Sequence, residues 1–293
     1  MPNRRIHKLV ECAPAKVNLT LAVLGRRSDG YHLLDSIVVF VDEADRLTLV
    51  PSDQLALRVG GATASEAGPL DDNLVLKAAR ALAAELPSLK LGRFTLEKRL
   101  PVAAGLGGGS SDAAAALRLL ARANRLKITD PRLRRAAERS GADVPVCLDP
   151  RPRRMRGVGE RLSAPLAIPR LPAVLVNPGV AVPTREVFAR LGVKPNGAQK
   201  RTRPLRLPRD RGRLIVALAG ARNDLEPAAV RIQPVISKVL TTLHNQPGCR
   251  LARMSGSGAT CFGLFASSKA AATAARRLRR ANPSWWVKAT TLG

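Results

Sequence analysis

Aromatic residues are scarce in this chain: Phe, Trp and Tyr together make up 3% of its 293 residues, and there is one Tyr. Ala, Leu and Val must therefore build most of the core. A surface that stacks single-stranded nucleic acid on successive rings has little to work with. Cysteine is also sparse. Cys12, Cys147, Cys249 and Cys261 lie far apart with no CxxC pair, which argues against a structural zinc site or a disulfide scaffold and fits a reducing, cytoplasmic setting. No apolar run approaches the roughly 20 residues of a membrane span, so no membrane partner is expected. The opening MPNRRIHKLVE is basic but has no apolar core, so no signal peptide is expected. Acidic residues are in deficit, 22 against 49 Lys and Arg, for a net charge of +27. Such a charge permits polyanions such as nucleotides or nucleic acid. The basic clusters at 151–156, 200–213 and 276–280 are interleaved with Pro or Ala rather than with rings, so nucleic acid is not expected as a partner. An apolar content of 45% is that of a soluble globular protein, and the length suits two domains or one large one.

The stretch that organises the chain is PVAAGLGGGSSD, residues 101–112. Four glycines (Gly105, Gly107, Gly108 and Gly109) precede Ser110 and Ser111, a strand-like FTLEKRL comes before, and an Ala-rich helix is expected from Ala113 to about Asn124. Glycine admits positive φ and lets an anion approach without a Cβ in the way. The first N–H groups of a helix lack intrahelical partners, and the dipole there favours negative charge, so strand, glycine loop and helix start together make a phosphate cradle. No Lys follows the glycines, so this is not a Walker loop, and Ser110 breaks a strict GxGxxG.

Along the chain, VNLTLAV (17–23) alternates with period two, GRRSDG (25–30) is a turn, and SIVVFV (36–41) and RLTLV (46–50) continue a sheet. A helix is expected over 72–86, with Asp71 and Asp72 as caps. Another runs from Asp130-Pro131 to Ser140 and stops at Gly141. The Pro-, Arg- and Gly-rich stretch 151–169 marks a domain boundary, giving domains 1–161 and 162–293. The second half reads as a strand at 173–179, a short helix from Thr184, a basic surface loop over 194–213 and a long helix over 224–245. A strand–small-residue loop–strand over 250–265, a helix and a final strand complete it. That order suggests an α+β domain with an antiparallel sheet.

Four further pieces could carry chemistry. In PAKVNL, Lys16 heads an apolar strand, and Asn18, one alternation on, shares its face. In DGYHLLDS, Tyr31 and His32 pair an aromatic with a hydrogen-bonding imidazole, which could hold a planar base. In GADVP, Asp143 follows a helix and could serve as a general base or cap the next turn. MSGSGAT (254–260) is a second Gly/Ser loop, which could add N–H donors near phosphate or form a tight hairpin.

In order and composition these pieces resemble the GHMP kinase superfamily, with its early Lys strand motif, central Pro-x-x-x-Gly-Leu-Gly loop and late Gly-Ser-Gly loop. Here two residues, not three, separate Gly107 from the serine pair. PAKVNL, GRRSDGYHLLDS, DDNLVLKAA, LPVAAGLGGGSSDAA, GADVPV, GVGE and SGSGA narrow the match to members acting on a cytidine-diphosphate-linked methylerythritol. The resemblance runs from about Cys12 to the C-terminus and is strongest in the first 160 residues. It implies a two-domain α+β GHMP kinase-like fold with the active site in the cleft between domains. It also implies ATP- and Mg²⁺-dependent phosphorylation of the substrate's 2-hydroxyl, in the non-mevalonate route to isoprenoids. Lys16 and Asp143 would be the catalytic pair, Asp143 taking or orienting the hydroxyl proton and Lys16 holding it ionised and stabilising the attacking oxygen. The loop Pro101, Val102, Ala103, Ala104, Gly105, Leu106, Gly107, Gly108, Gly109, Ser110 and Ser111 would wrap the ATP phosphates, and Asn73 would border the adenine. His32 would read the cytosine with Tyr31 and Phe188 stacking on it, and Asn18 would seat the polyol. No protein ligand to Mg²⁺ is assigned, and the oligomeric state stays open. Two departures are visible: PRPRRMR before GVGE is unusually basic, and Val38 stands where some members carry an aromatic. A kinase of the superfamily acting on homoserine, a mevalonate or a sugar is the nearest alternative, and the Tyr31-His32 pair argues against it. An RNA-binding protein is the alternative of another class, and it leaves Lys16, Asp143 and both glycine loops unexplained.

Overall fold

The computed structural model describes residues 8–197 and 205–293. In chain order the elements are β1 (Leu9–Arg26), β2 (His32–Pro51), β3 (Ala56–Gly60), α1 (Leu74–Glu85), β4 (Gly92–Glu97), α2 (Gly108–Ala123), α3 (Pro131–Ser140) and α4 (Val144–Leu148). There follow β5 (Arg153–Gly157), β6 (Arg161–Leu162), β7 (Leu171–Asn177), α5 (Thr184–Ala189), α6 (Arg211–Ala219), α7 (Glu226–Ile232), α8 (Val235–His244), β8 (Cys249–Met254), β9 (Cys261–Phe265), α9 (Ser268–Ala281) and β10 (Trp286–Leu292). Mixed sheet and helices make this an α+β fold.

The chain forms two compact units that interleave in sequence. The first takes the chain up to Ala15, then Glu43–Val102 and Gly107–Pro150, and the second takes Lys16–Asp42, Ala103–Leu106 and Arg151–Gly293. A division in chain order at 161/162 does not follow these units, because β1, β2 and the glycine loop each contribute to both.

In the first unit the C-terminal half of β2 pairs antiparallel with β4, and β4 pairs parallel with β3. The β3-to-β4 connection runs through α1, as a parallel pair requires. Helices α1 to α4 bury Val75, Ala79 and Leu82, Leu117 and Leu120, Leu133, and Val146. Asp130 accepts from Arg132 N and Pro131 opens α3, while Gly141 follows its end, as the sequence predicts. Asn73, not Asp71 or Asp72, caps α1, accepting from Val75 N at 3.0 Å. The two aspartates are spent in a 3₁₀ turn, Leu70–Asp72, one step too early. Helix α2 starts at Gly108, five residues before Ala113, because tertiary bonds on its first turn, described below, offset the roughly 1 kcal/mol per residue that glycine costs a helix.

In the second unit the first half of β2 pairs with β5, and β10, β7, β9 and β8 form an antiparallel run in that order. Val174, Val176, Leu225, Ile236, Val239, Leu243, Phe265, Leu278 and Trp285 lie in its core. The expected helix over 224–245 is two helices. Pro227 sits harmlessly in the first turn of α7, but Pro234 cannot continue that ladder and instead precedes α8. The expected loop over 194–213 ends at α6, whose N-cap Asp210 accepts from Arg213 N at 2.8 Å. Residues 198–204 of that loop lie outside the described residues.

Candidate active site

The central loop, the early Lys strand and the late Gly-Ser loop meet within the second unit. Lys16 N donates to Leu106 O at 2.8 Å, and Thr260 N donates to Ala104 O at 3.1 Å. The Ser255 hydroxyl accepts from Asn18 N at 3.1 Å and donates to Gly105 O at 2.8 Å. One side chain thus bonds a residue 237 positions before it and another 150 positions before it. Gly105 has φ +73°, and a Cβ there would sit 2.2 Å from Ser255 O, so this contact admits only glycine. The late loop is held in turn by Asn223, whose amide donates to Met254 O at 2.9 Å and Gly256 O at 2.8 Å. Thr184 and Ser257 hydroxyls lie 2.8 Å apart.

Lys16 is 3% exposed, and its ammonium donates to Asn18 Oδ1 at 2.9 Å. Alternation along β1 does place the two side chains on one face. Asn18 donates onward to Ser36 Oγ at 2.7 Å, and Ser36 donates to Thr20 O at 2.6 Å. The Asn18 amide thus accepts from Lys16 at its oxygen and donates to Ser36 from its nitrogen, leaving one acceptor and one donor position on the same amide.

In the first unit the loop leads into α2. Gly107 takes a left-handed φ of +61° at the N-cap position and offers no side-chain cap, so the first N–H groups of α2 face no capping oxygen of their own. Ser111 is buried, and its hydroxyl donates to Pro14 O at 2.7 Å with Cys147 Sγ 3.3 Å away. That bond fastens the helix start to β1. Asp143 stands at the N-cap position of α4, yet its side chain makes no capping hydrogen bond, so capping does not account for this carboxylate. Asn73 is half-buried and spends its oxygen capping α1.

His32 and Phe188, 156 residues apart, stack with ring centroids 4.7 Å apart and planes inclined by 27°. Burial, and then the Arg26 charge, pull His32 below the ordinary imidazole value, so the ring is neutral at neutral pH. Tyr31 is 59% exposed at the β1–β2 turn. Val38 is buried in β2 opposite Arg153. The basic stretch before GVGE has a structural account in part: Arg154 Nε donates to Asp35 Oδ1 at 2.6 Å and its Nη2 to Asp35 Oδ2. That paired hydrogen bond to Asp35 raises Arg154 above its ordinary value.

Ser36, Thr184 and Asn223 emerge only from the structure, and so does the bridging role of Ser255 within the Gly/Ser loop. Ser255 had a signal in the glycines around it, whereas Ser36 and Asn223 have none, since their partners lie far off in sequence. Among the described residues, no group of three or more His, Cys, Asp or Glu side chains could hold a metal ion, and no helix is long and apolar enough to cross a membrane.

Comparison with known proteins matches the model of the GHMP kinases N-terminal domain to residues 73–149 and that of the GHMP kinases C-terminal domain to residues 208–284. A 4-diphosphocytidyl-2-C-methyl-D-erythritol kinase of Methylobacterium radiotolerans is 59% identical, covering 97% of this chain and 99% of its own. A solved structure of 4-(cytidine 5'-diphospho)-2C-methyl-D-erythritol kinase is 36% identical, with a TM-score of 0.74, covering 97% of this chain and 99% of its own. A homoserine kinase from Cytophaga hutchinsonii, 16% identical with a TM-score of 0.71 over 99% of this chain and 96% of its own, shares the fold alone. Two family models on the two halves of the chain, and near-full-length identity to a member, agree with the meeting of the three motifs: the chain belongs to the GHMP kinase family.

Proposed function

We propose that this protein is an ATP-dependent kinase that phosphorylates the 2-hydroxyl of 4-diphosphocytidyl-2-C-methyl-D-erythritol, in the non-mevalonate route to isoprenoid precursors, and that it works in the cytoplasm. The observation that carries the reading is the Ser255 bridge between Asn18 and Gly105, which brings the Lys strand and both glycine loops into one hydrogen-bonded network. The full-length likeness to a kinase of that name supports the substrate.

The substrate 2-hydroxyl oxygen attacks the γ-phosphorus. A new O–P bond forms, the bridging P–O bond to the β-phosphate breaks, and ADP leaves. Asp143 takes or orients the hydroxyl proton, and the Lys16 ammonium lowers the energy of negative charge on the attacking oxygen. Phosphoryl transfer needs positioning and charge neutralisation more than covalent help, which such a sparse set can supply. Residues Pro101 to Ser111 wrap the phosphates with backbone N–H groups, and Asn73 borders the adenine. His32 reads the cytosine edge while Phe188 and Tyr31 lie along the base, and Asn18 seats the polyol. Mg²⁺ would enter as part of the substrate Mg-ATP.

The test is a coupled ADP-release assay with Mg-ATP on a panel of diphosphocytidyl-methylerythritol, homoserine, mevalonate and galactose, with Asp143→Asn as control. Turnover on the first compound alone, lost in the control, is the expected result. Turnover on another panel member would keep the family and overturn the reading of Tyr31 and His32. No turnover on any of them would overturn the assigned reaction.

A further inference from the structure

We propose that Asp112 is a positioning residue for the nucleotide loop: with Lys98 and Asp45 it closes a buried clasp that fixes the N-terminal part of α2 to the chain entering the loop, and its charge sets the field beneath the bound phosphates. The inference rests on the assignment of ATP to residues 101–111.

The three side chains lie within the first unit. Lys98 follows the end of β4 and is 3% exposed, Asp45 on β2 is fully buried, and Asp112, the fifth residue of α2, is 2% exposed. The Lys98 ammonium donates to Asp112 Oδ2 at 2.9 Å and to Asp45 Oδ2. Asp45 Oδ1 accepts from Arg99 N at 2.5 Å and Leu100 N at 2.9 Å, the two residues before Pro101. The chain is thus gripped where it enters the loop, and Lys98 carries the grip across to where it leaves. Gly108 lies directly above: a Cβ there would sit 3.5 Å from Lys98 Nζ and 3.8 Å from Asp45 Oδ2. The clasp therefore backs the N–H groups that would hold phosphate.

One ammonium faces two carboxyls, so the fully ionised clasp carries a surplus negative charge in a buried place, which is costly. Asp112 Oδ1 is buried and has no hydrogen-bond partner among the described residues, and it is the position where a proton relieves that surplus. Burial is the largest cause pushing Asp112 up, to about 7; Lys98 pulls it down and Asp45 adds to the rise. Burial alone would lower Lys98, but the charges of Asp112 and Asp45 prevail and raise it. The charges on the elements packed against α2 are otherwise paired at the surface: Lys77 with Asp72 and Arg80 with Asp71, Glu85 with Arg135 and Arg139, Arg132 with Asp130 and Arg134 with Glu138. Glu11 of β1 meets Arg118 and Arg122 of α2 itself. Helix α4 has no charged residue in its span, with Asp143 at its N-cap. Lys98 and Asp45 are thus, among the described residues, the charged groups in contact with Asp112.

The experiment titrates Mg-ATP, with Mg²⁺ in excess, and separately adenosine, onto the whole protein below and above about pH 7, for wild type and Asp112→Asn. Wild-type affinity for Mg-ATP should fall about tenfold across that interval, the scale of one unit charge about 10 Å away at an effective dielectric of about 20. Adenosine, which has no phosphates, should show no such fall, and Asp112→Asn should bind Mg-ATP with a level profile. Parallel profiles for wild type and Asp112→Asn, or adenosine weakening together with Mg-ATP, would overturn the inference. If the variant does not fold, the wild-type comparison of Mg-ATP with adenosine decides alone. Wild type that binds no ATP at all overturns the ATP assignment and this inference together. Wild type that binds ATP with a level profile overturns the inference only.

Discussion

Replacing Gly105 by Ala tests whether the meeting of the two loops matters for activity. The new Cβ would lie 2.2 Å from Ser255 O, 2.9 Å from Gly258 N and 3.0 Å from Gly258 O. All three are backbone atoms, so no side chain can swing aside, and the loops must part by about 1 Å to reach an ordinary contact distance. Ala also resists the φ of +73° found there, at about 1–2 kcal/mol. Parting the loops stretches the Ser255–Gly105 hydrogen bond, worth about 1 kcal/mol. The sum, about 2–3 kcal/mol, should lower the melting temperature by roughly 5–10 °C. If the loop positions the reacting phosphate as proposed, a shift of about 1 Å should cost about 10²-fold in kcat/KM.

Gly68→Ala is the matched control. Gly68 has φ +71° with nothing within 4 Å of an added Cβ, so it pays the backbone strain without any displacement. ADP release measured on both variants, beside their thermal melts, separates the two effects. Gly68→Ala should lose stability and keep its kcat/KM, and Gly105→Ala should lose both. A folded Gly105→Ala enzyme with wild-type kcat/KM would refute the claim that this contact positions the phosphates.

Asp143→Asn should retain the fold and ATP binding but lose about 10²-fold or more in turnover, as expected for a positioned base, and near-normal turnover would remove Asp143 from that role. His32→Ala, which deletes one ring of the stack with Phe188, should raise KM for the cytidine-bearing substrate more than KM for ATP; equal effects on both would rule out base reading. Asp112→Asn should also alter stability against pH, and the sign follows from linkage. The native carboxyl, raised from 3.8 to about 7, keeps a proton that the unfolded chain has released. Wild type therefore loses stability as pH rises from 3.8 to about 7 and levels off above that, so the melting advantage of Asp112→Asn should grow across the same window and then stay constant. An advantage that does not vary with pH would show that Asp112 titrates normally.

Local chemistry was readable in the sequence and long-range closure was not. Asp130, Pro131 and Gly141 punctuate α3 through contacts within a few residues, so they could be read directly. The alternation in PAKVNL correctly put Lys16 and Asn18 on one face. SIVVFV and RLTLV, by contrast, are parts of one strand, β2, and the polar residues between them hid its continuity because the strand passes from one compact unit to the other at Asp42 and Glu43. The early start of α2 was equally hidden. Glycine propensity argues against a helix there, and what overrides it is Ser111 bonding Pro14 and Asp112 bonding Lys98.

The candidate site shows the same division. Each glycine loop, taken alone, reads equally well as a flexible turn, and Lys16 alone reads as an ordinary strand residue. Their ambiguity is removed by Ser255, whose hydroxyl closes the distance between Asn18 and Gly105, and by the backbone bond from Lys16 to Leu106. A hairpin that was only a hairpin would not need Gly105 to tolerate a carbonyl where its Cβ would be. Glycine there carries the cost of a freer unfolded chain, about 0.5–1 kcal/mol relative to Ala, and the return is an approach of two backbones that no other residue permits. The residue types were therefore legible as candidates, and their meeting became so only when the fold placed both loops and the Lys strand on one hydrogen-bonded network.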